Sequence, residues 1–155
     1  MHNESRELYP VEFVNLDHSD VASQMSDWDE SFDWTVYFGH RGIEVYKMCV
    51  VGNPDIQGAL ALEYKEDHVW VHLIESAPHN RFGKVFDYVG ENLMAYACLR
   101  SMELGCDGFI AFNAKTRLIR YYLLNMRAKR LGNGERMYID GVAAEHLVQV
   151  YLKKR

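Results

Sequence analysis

The sequence predicts an α+β fold, one domain over residues 1–155 with a mixed, mostly antiparallel central sheet flanked by helices. Three observations carry this. Strand-like runs at Ile43–Val51, Ile56–Tyr64 and His68–Ser76 are separated only by the turn signals Gly52-Asn53-Pro54-Asp55 and Lys65-Glu66-Asp67, and such close spacing makes an antiparallel meander. The apolar period then lengthens to that of a helix over Glu91–Leu104 and again after Thr116, with a short continuous apolar run, Phe109–Phe112, between them. A chain of 155 residues can bury one sizeable core and is too short for two ordinary domains.

Taken in order, the first strand lies after Pro10, where Val11 and Phe13 alternate onto one face; a proline at its start suits a sheet edge. From Asp17 to Trp34 the composition turns acidic, with Asp27, Asp29, Glu30 and Asp33 interleaved with Trp28, Phe32 and Trp34. Trp28 and Phe32 stand four apart, which predicts a short helix capped by Ser26 that buries both. The meander follows. The helix Glu91–Leu104 ends at Gly105, a left-handed cap. Thr116 caps a second helix, with Leu118, Ile119, Tyr122, Leu123 and Met126 as its apolar stripe, which runs to about Gly132. Met137–Asp140 is a last strand and Ala143–Lys154 a last amphipathic helix.

The charge balance, 17 basic against 22 acidic residues, gives a net charge of -5 and no support for a nucleic-acid-binding surface, so no DNA partner is expected. A local basic cluster remains at Arg117, Arg120, Arg127, Lys129 and Arg130. No apolar run approaches a membrane span and the first residues hold no apolar signal core, so a cytoplasmic protein without a membrane partner is expected. Cys49, Cys98 and Cys106 are an odd set without C-x-x-C spacing and read as reduced thiols.

The stretch Val69–Gly105 carries the functional signal. It reads as strand, irregular loop and helix, and a helix that begins after a glycine-containing turn offers unpaired N–H groups and the positive end of its dipole. That is a setting for phosphate or pyrophosphate. Glu75, at the carboxyl end of the incoming strand, would lie within reach of the same pocket.

The order strand, acidic segment, three-strand meander, helix, strand, helix, strand resembles the GNAT superfamily of acyl-CoA-dependent N-acyltransferases. The resemblance runs the length of the chain and is densest from Ile56 to Asp140. Gln57-Gly58-Ala59-Leu60-Ala61-Leu62 resembles the family's third strand, and Leu73-Ile74-Glu75-Ser76-Ala77-Pro78 its fourth, whose edge pairs with pantetheine. Phe109–Phe112 and Thr116–Ala128 resemble its fifth strand and fourth helix, with Tyr122 at the place of the family's tyrosine. The resemblance implies a sheet splayed into an acyl-CoA cleft, acetyl-CoA as co-substrate, and transfer of its acetyl group to a primary amine by direct attack in a ternary complex. It implies pantetheine at Ile74, Glu75 and Ser76, pyrophosphate at Phe86, Asp87, Tyr88, Val89 and Gly90, and further contacts at Asn113 and Tyr122. Glu75 would be the general base and Tyr122 the general acid, and a homodimer is left open. The departures are that Gly90 alone survives of the pyrophosphate motif, Tyr88 stands where a glycine is normal, Val85 where glutamine or arginine is, and Arg127 replaces a glycine. They define the alternative, a non-catalytic GNAT-like regulatory or protein-binding module that has lost acyl-CoA chemistry.

Each candidate has a structural alternative. Simple alternation puts Glu75 on one face with Val69, Val71 and Leu73 unless a bulge or splay re-aims it, and it could instead pair with Arg81 or Lys84. Tyr122 could be plain core. His68 and His72 share a strand face with Trp70, but two histidines without a third ligand are a weak metal signal, and no metal is expected. His79 lies in the loop, where it could bind substrate or relay a proton. Cys98 has no neighbouring base and reads as core. The acidic stretch Asp27–Asp33 suits either a cationic acceptor or plain solvation.

Overall fold

The computed structural model describes residues 9–81, 86 and 88–153. Its elements are β1 (Val11–Asn15), α1 (His18–Gln24), a 3-10 turn (Trp34–Tyr37), β2 (Ile43–Val50), β3 (Ile56–Tyr64), β4 (Val69–Ser76), α2 (Pro78–Arg81) and α3 (Val89–Glu103). Then come β5 (Ile110–Asn113), a 3-10 turn (Thr116–Leu118) leading into α4 (Ile119–Asn125), β6 (Lys129–Arg130), β7 (Arg136–Ile139), α5 (Gly141–Val148) and a π turn (Gln149–Lys153). The strands form one sheet in the order β1-β2-β3-β4-β5-β7-β6. Every neighbouring pair is antiparallel except β4 and β5. This is the expected α+β architecture.

Two unequal layers cover the sheet. On one face α3 and α5 pack over Leu60, Leu62, Val69, Ile110, Met137 and Ile139 to make the larger core. On the other, Met25, Trp28 and Trp34 close over Val45, Ala59 and Ala61, on β2 and β3. β3 therefore lies between two cores, and its residues are buried from Ile56 to Leu62. Gly58 sets the approach of α3: a Cβ there would lie 2.8 Å from Leu93 Cδ1, 2.9 Å from Val89 Cγ1 and 3.2 Å from the Glu75 carbonyl oxygen. Val89 is β-branched and stiff in a helix, and Leu93 is fully enclosed, so neither yields cheaply. Gly58→Ala is expected to cost about 1–3 kcal/mol through overpacking, read by urea denaturation.

Three expectations need correction. No helix forms over Trp28 and Phe32. Asp17 instead caps α1 through a reciprocal box with Asp20, while Asp29 and Asp33 bend back onto the Ser31 and Thr35 amides, local bonds that compete with a helix. Thr116 does not cap α4; its hydroxyl and amide both donate to Glu135, at 2.6 and 2.8 Å. α4 ends at Asn125 rather than near Gly132, because Arg127 takes φ 54° and both the Met126 and Ala128 amides close onto the Tyr122 carbonyl. The released chain pairs as β6. At the other end of α3, Gly105 (φ 85°) caps as expected, with Cys106 N–H to Ser101 and Gly105 N–H to Met102.

Arg100 ties α3 to β2 by two bonds to Glu44, Nε to Oε1 at 2.8 Å and Nη2 to Oε2 at 2.7 Å. These bonds hold the Glu44 carboxyl below its ordinary 4.5. A depressed carboxyl stabilises the fold above its unfolded value and loses that contribution as pH falls through the folded one. Glu44→Gln is thus expected to cost about 1–2 kcal/mol at neutral pH, and its gap from the parent protein should close as denaturation is repeated at progressively lower pH beneath 4.5.

Candidate active site

β4 and β5 pair over three residues only, Val69–Val71 with Ile110–Phe112. From His72 onward β4 keeps β3 on one edge, and among the described residues no strand occupies the other. This is the expected splay. A bulge accompanies it: Leu62 faces Val71 and Ala61 faces Leu73, so His72 is an extra residue on β4. One added residue reverses the side-chain alternation beyond it. Val69, Val71 and Ile74 consequently belong to the α3 side, whereas Leu73 packs with the opposite core. Glu75 turns the same way as Leu73, away from the face that simple alternation assigned to it.

There Glu75 is buried, 5% exposed, and each oxygen accepts from the acidic segment: Oε1 from Trp34 Nε1 at 2.8 Å, Oε2 from the Asp29 amide at 3.0 Å. Lys84 and the side chain of Arg81, its alternative partners, lie outside the described residues. The opening between the strands is a cleft of about 330 Å³, and Ile74, Glu75, Ser76, Asn113 and Tyr122 all line it. Five candidate residues from three separate stretches of chain are thus brought together. Asp29, Lys115 and Arg117 also line the cleft.

Tyr122 reaches the cleft from α4, its ring 5.0 Å from that of Phe112. Burial, and secondarily the charge of Glu91, pushes its phenol above the ordinary value of 10.0, so it stays protonated through neutral pH. Such a group can donate a proton.

At the start of α3, Tyr88 is the N-cap residue with φ 64°, the left-handed conformation that a glycine takes more cheaply. Its carbonyl accepts from the Asn92 amide at 2.9 Å and Asn92 Nδ2 at 2.7 Å. The amides of Val89, Gly90 and Glu91 belong to the first turn, where helix geometry supplies no acceptor. A Cβ on Gly90 would meet nothing within 4 Å. Amides and open ground at a helix N-terminus fit an anion such as pyrophosphate. Burial, and then the charge of Glu91 in the same turn, raises Tyr121 and Tyr151, and an anion would have to share the ground with that carboxylate. The Phe86 amide is engaged, donating to Asn80 Oδ1 at 2.9 Å, and Asp87 lies outside the described residues.

The remaining candidates lie elsewhere. His79 bonds to Gln57 Oε1 at 2.7 Å and lines a separate hollow with Gln57 and Phe86. His68 pairs with Asp67 and His72 with Glu63, and no group of three metal-ligating side chains occurs among the described residues. Cys98 is fully buried, and burial pushes its thiol up. Sequence reasoning missed the roles of Asp29 and Trp34 as donors to Glu75, because they stand 46 and 41 residues away and one of them acts through a backbone amide.

No protein-family model and no curated protein matches the chain. Solved structures do. A spermidine N-acetyltransferase chimera from Vibrio cholerae superposes with TM-score 0.60 at 11% identity, over 88% of this chain and 98% of its own. An acetyltransferase from Bacillus subtilis, in complex with CoA, gives 0.57 at 15% identity over 86% and 99%. One from Trypanosoma brucei gives 0.57 at 18% identity over 79% and 96%. The chain therefore has the fold of the GNAT acetyltransferases, with the strand parting and the tyrosine-bearing helix in one cleft.

Proposed function

We propose that the chain is an N-acetyltransferase that moves the acetyl group of acetyl-CoA to a primary amine in a ternary complex. The parting of β4 from β5 beside Glu75 and Tyr122 carries the reading. The edge of Ile74–Ser76 that faces away from β3 would hold the pantetheine arm, and the amides of Val89, Gly90 and Glu91 the pyrophosphate, while Arg117 lines the cleft. Bound acetyl-CoA supplies an activated thioester carbonyl. An ammonium has no lone pair, so Glu75 takes its proton; each of its oxygens already accepts one bond, and a carboxylate oxygen can accept another. The freed amine attacks the carbonyl carbon and a β4 amide supports the oxyanion. As it collapses the C–S bond breaks, Tyr122 gives its proton to sulfur, and the second proton leaves the nitrogen through solvent to restore the phenol. Cys98 and Ser76 offer no activated nucleophile, which favours direct attack over an acyl-enzyme.

One observation favours a second reading. The left-handed Tyr88 occupies the place of a cradle glycine and brings a bulky ring there, which suits a GNAT-like binding module without the cofactor. Titration with CoA followed by thermal denaturation separates the two. A ligand of the native state raises its stability by mass action, about 2.7 kcal/mol at a hundredfold excess over Kd. A rising midpoint is expected; a flat one at millimolar CoA overturns the enzyme reading.

A further inference from the structure

In the segment that closes the second face of the sheet, the Tyr37 ring lies 5.5 Å from that of His72. Beyond it the same face of β4, β5 and β7 is open, and a hollow of about 580 Å³ lies over Trp70, Ala111 and Tyr138. The volume falls in the range of small-molecule pockets, about 300–1,000 Å³. Phe109 and Leu131, 40% and 50% exposed, give it apolar walls within one hollow rather than standing singly on the surface. Its charges are unequal in commitment. Lys65 is held by Glu63 at 3.2 Å and His68 by Asp67 at 2.6 Å. Arg136 has no ion pair among the described residues; its guanidinium lies 5.1 Å from the centre of the Trp70 ring, a stacking that orients the planar fork and leaves its donors for a ligand.

We propose that this hollow binds a small molecule combining a planar aromatic ring with an anionic group, carboxylate or phosphate. The ring sits among Phe109, Leu131 and Tyr138, and the anion meets Arg136. His72 lines both this hollow and the cleft that holds Glu75, so the two meet at its side chain as a shared wall. The ligand is then the recognition end of the amine acceptor, a role that rests on the acetyl-transfer reading, whereas the binding itself does not.

The test uses fluorescence. Trp28 and Trp34 are 6% and 3% exposed, so ligands entering the hollow perturb Trp70. Titration with 3-phenylpropionate, phenyl phosphate, 2-phenylethanol and phenethylamine is expected to give at least one anion binding roughly tenfold or more tightly than the alcohol, as a charge-assisted bidentate bond provides. The stronger anion identifies the group. Arg136→Gln should abolish the advantage with the thermal midpoint kept. Leu131→Glu, at the exposed rim, should weaken anions by a similar factor without touching Arg136. Equal binding of anion and alcohol, no binding of any probe, or an advantage that survives Arg136→Gln overturns the proposal. So does concentration-dependent self-association broken by Leu131→Glu without probe binding, which would make the hollow a contact between copies. CoA binding without probe binding removes this inference alone; probe binding without CoA removes only the acetyl-transfer reading.

Discussion

Glu75→Gln is expected to lower acetyl-transfer turnover by about 10²–10⁴-fold, the usual worth of a positioned acid or base. It should also destabilise the fold by about 1–3 kcal/mol. The second effect arises because Trp34 Nε1–H and the Asp29 amide both donate to the carboxylate, and glutamine has one oxygen to offer two donors. Trp34→Phe is the control, since it removes one of those donors and leaves the carboxylate. If Glu75 is the base, Trp34→Phe keeps most of the turnover while losing comparable stability. If Glu75 only fastens the acidic segment to β4, the two variants lose activity in parallel with stability. Turnover is followed as thiol release from acetyl-CoA with a panel of amines, and stability by urea denaturation.

Tyr122→Phe is expected to lower turnover by roughly ten- to a thousandfold, at or below the usual worth of a general acid. CoA affinity should change little, and the ring, packed on Phe112, should keep the fold intact. The direction of its pKa adds a pH signature. Only the protonated phenol can return a proton to sulfur, and burial holds this one protonated above 10.0. If the proposed transfer operates, the parent protein should therefore show no falling limb from this group below that pH, and the variant should be slow at every pH from neutral to 10.0. Rates equal to the parent's would assign Tyr122 to the core.

The meander was legible because its strands are joined by short turns, and the Gly105 cap because a glycine follows the last helical residue. Gly58 sits within the apolar run of β3, and the close approach of Val89 and Leu93 from α3 is what a side chain there would obstruct. The short helix over Trp28 and Phe32 was misread because aspartates bonding to amides two residues on look, in sequence, like an acidic helix face. The length of α4 was misread because an arginine marks its end in the left-handed region, where a glycine would have announced the stop. The face that Glu75 occupies was not legible either. It depends on the register between β3 and β4, a relation between two stretches that neither records alone.

That register has a consequence for how the site could have changed. Because His72 is a supernumerary residue in β4, the half-space in which Glu75 lives is set by the parity of the chain between Val71 and Glu75. No exchange of one side chain for another carries the carboxylate across the sheet, since substitutions leave parity untouched. Losing His72 would remove the bulge and keep each side chain on its present face, whereas a residue gained in that interval without a second bulge would carry the carboxylate across. Such a gain would exchange the faces of Ile74 and Glu75, setting an acid into the core under α3 and an isoleucine before the Trp34 indole. The route to or from this arrangement therefore runs through changes in strand length rather than in residue type.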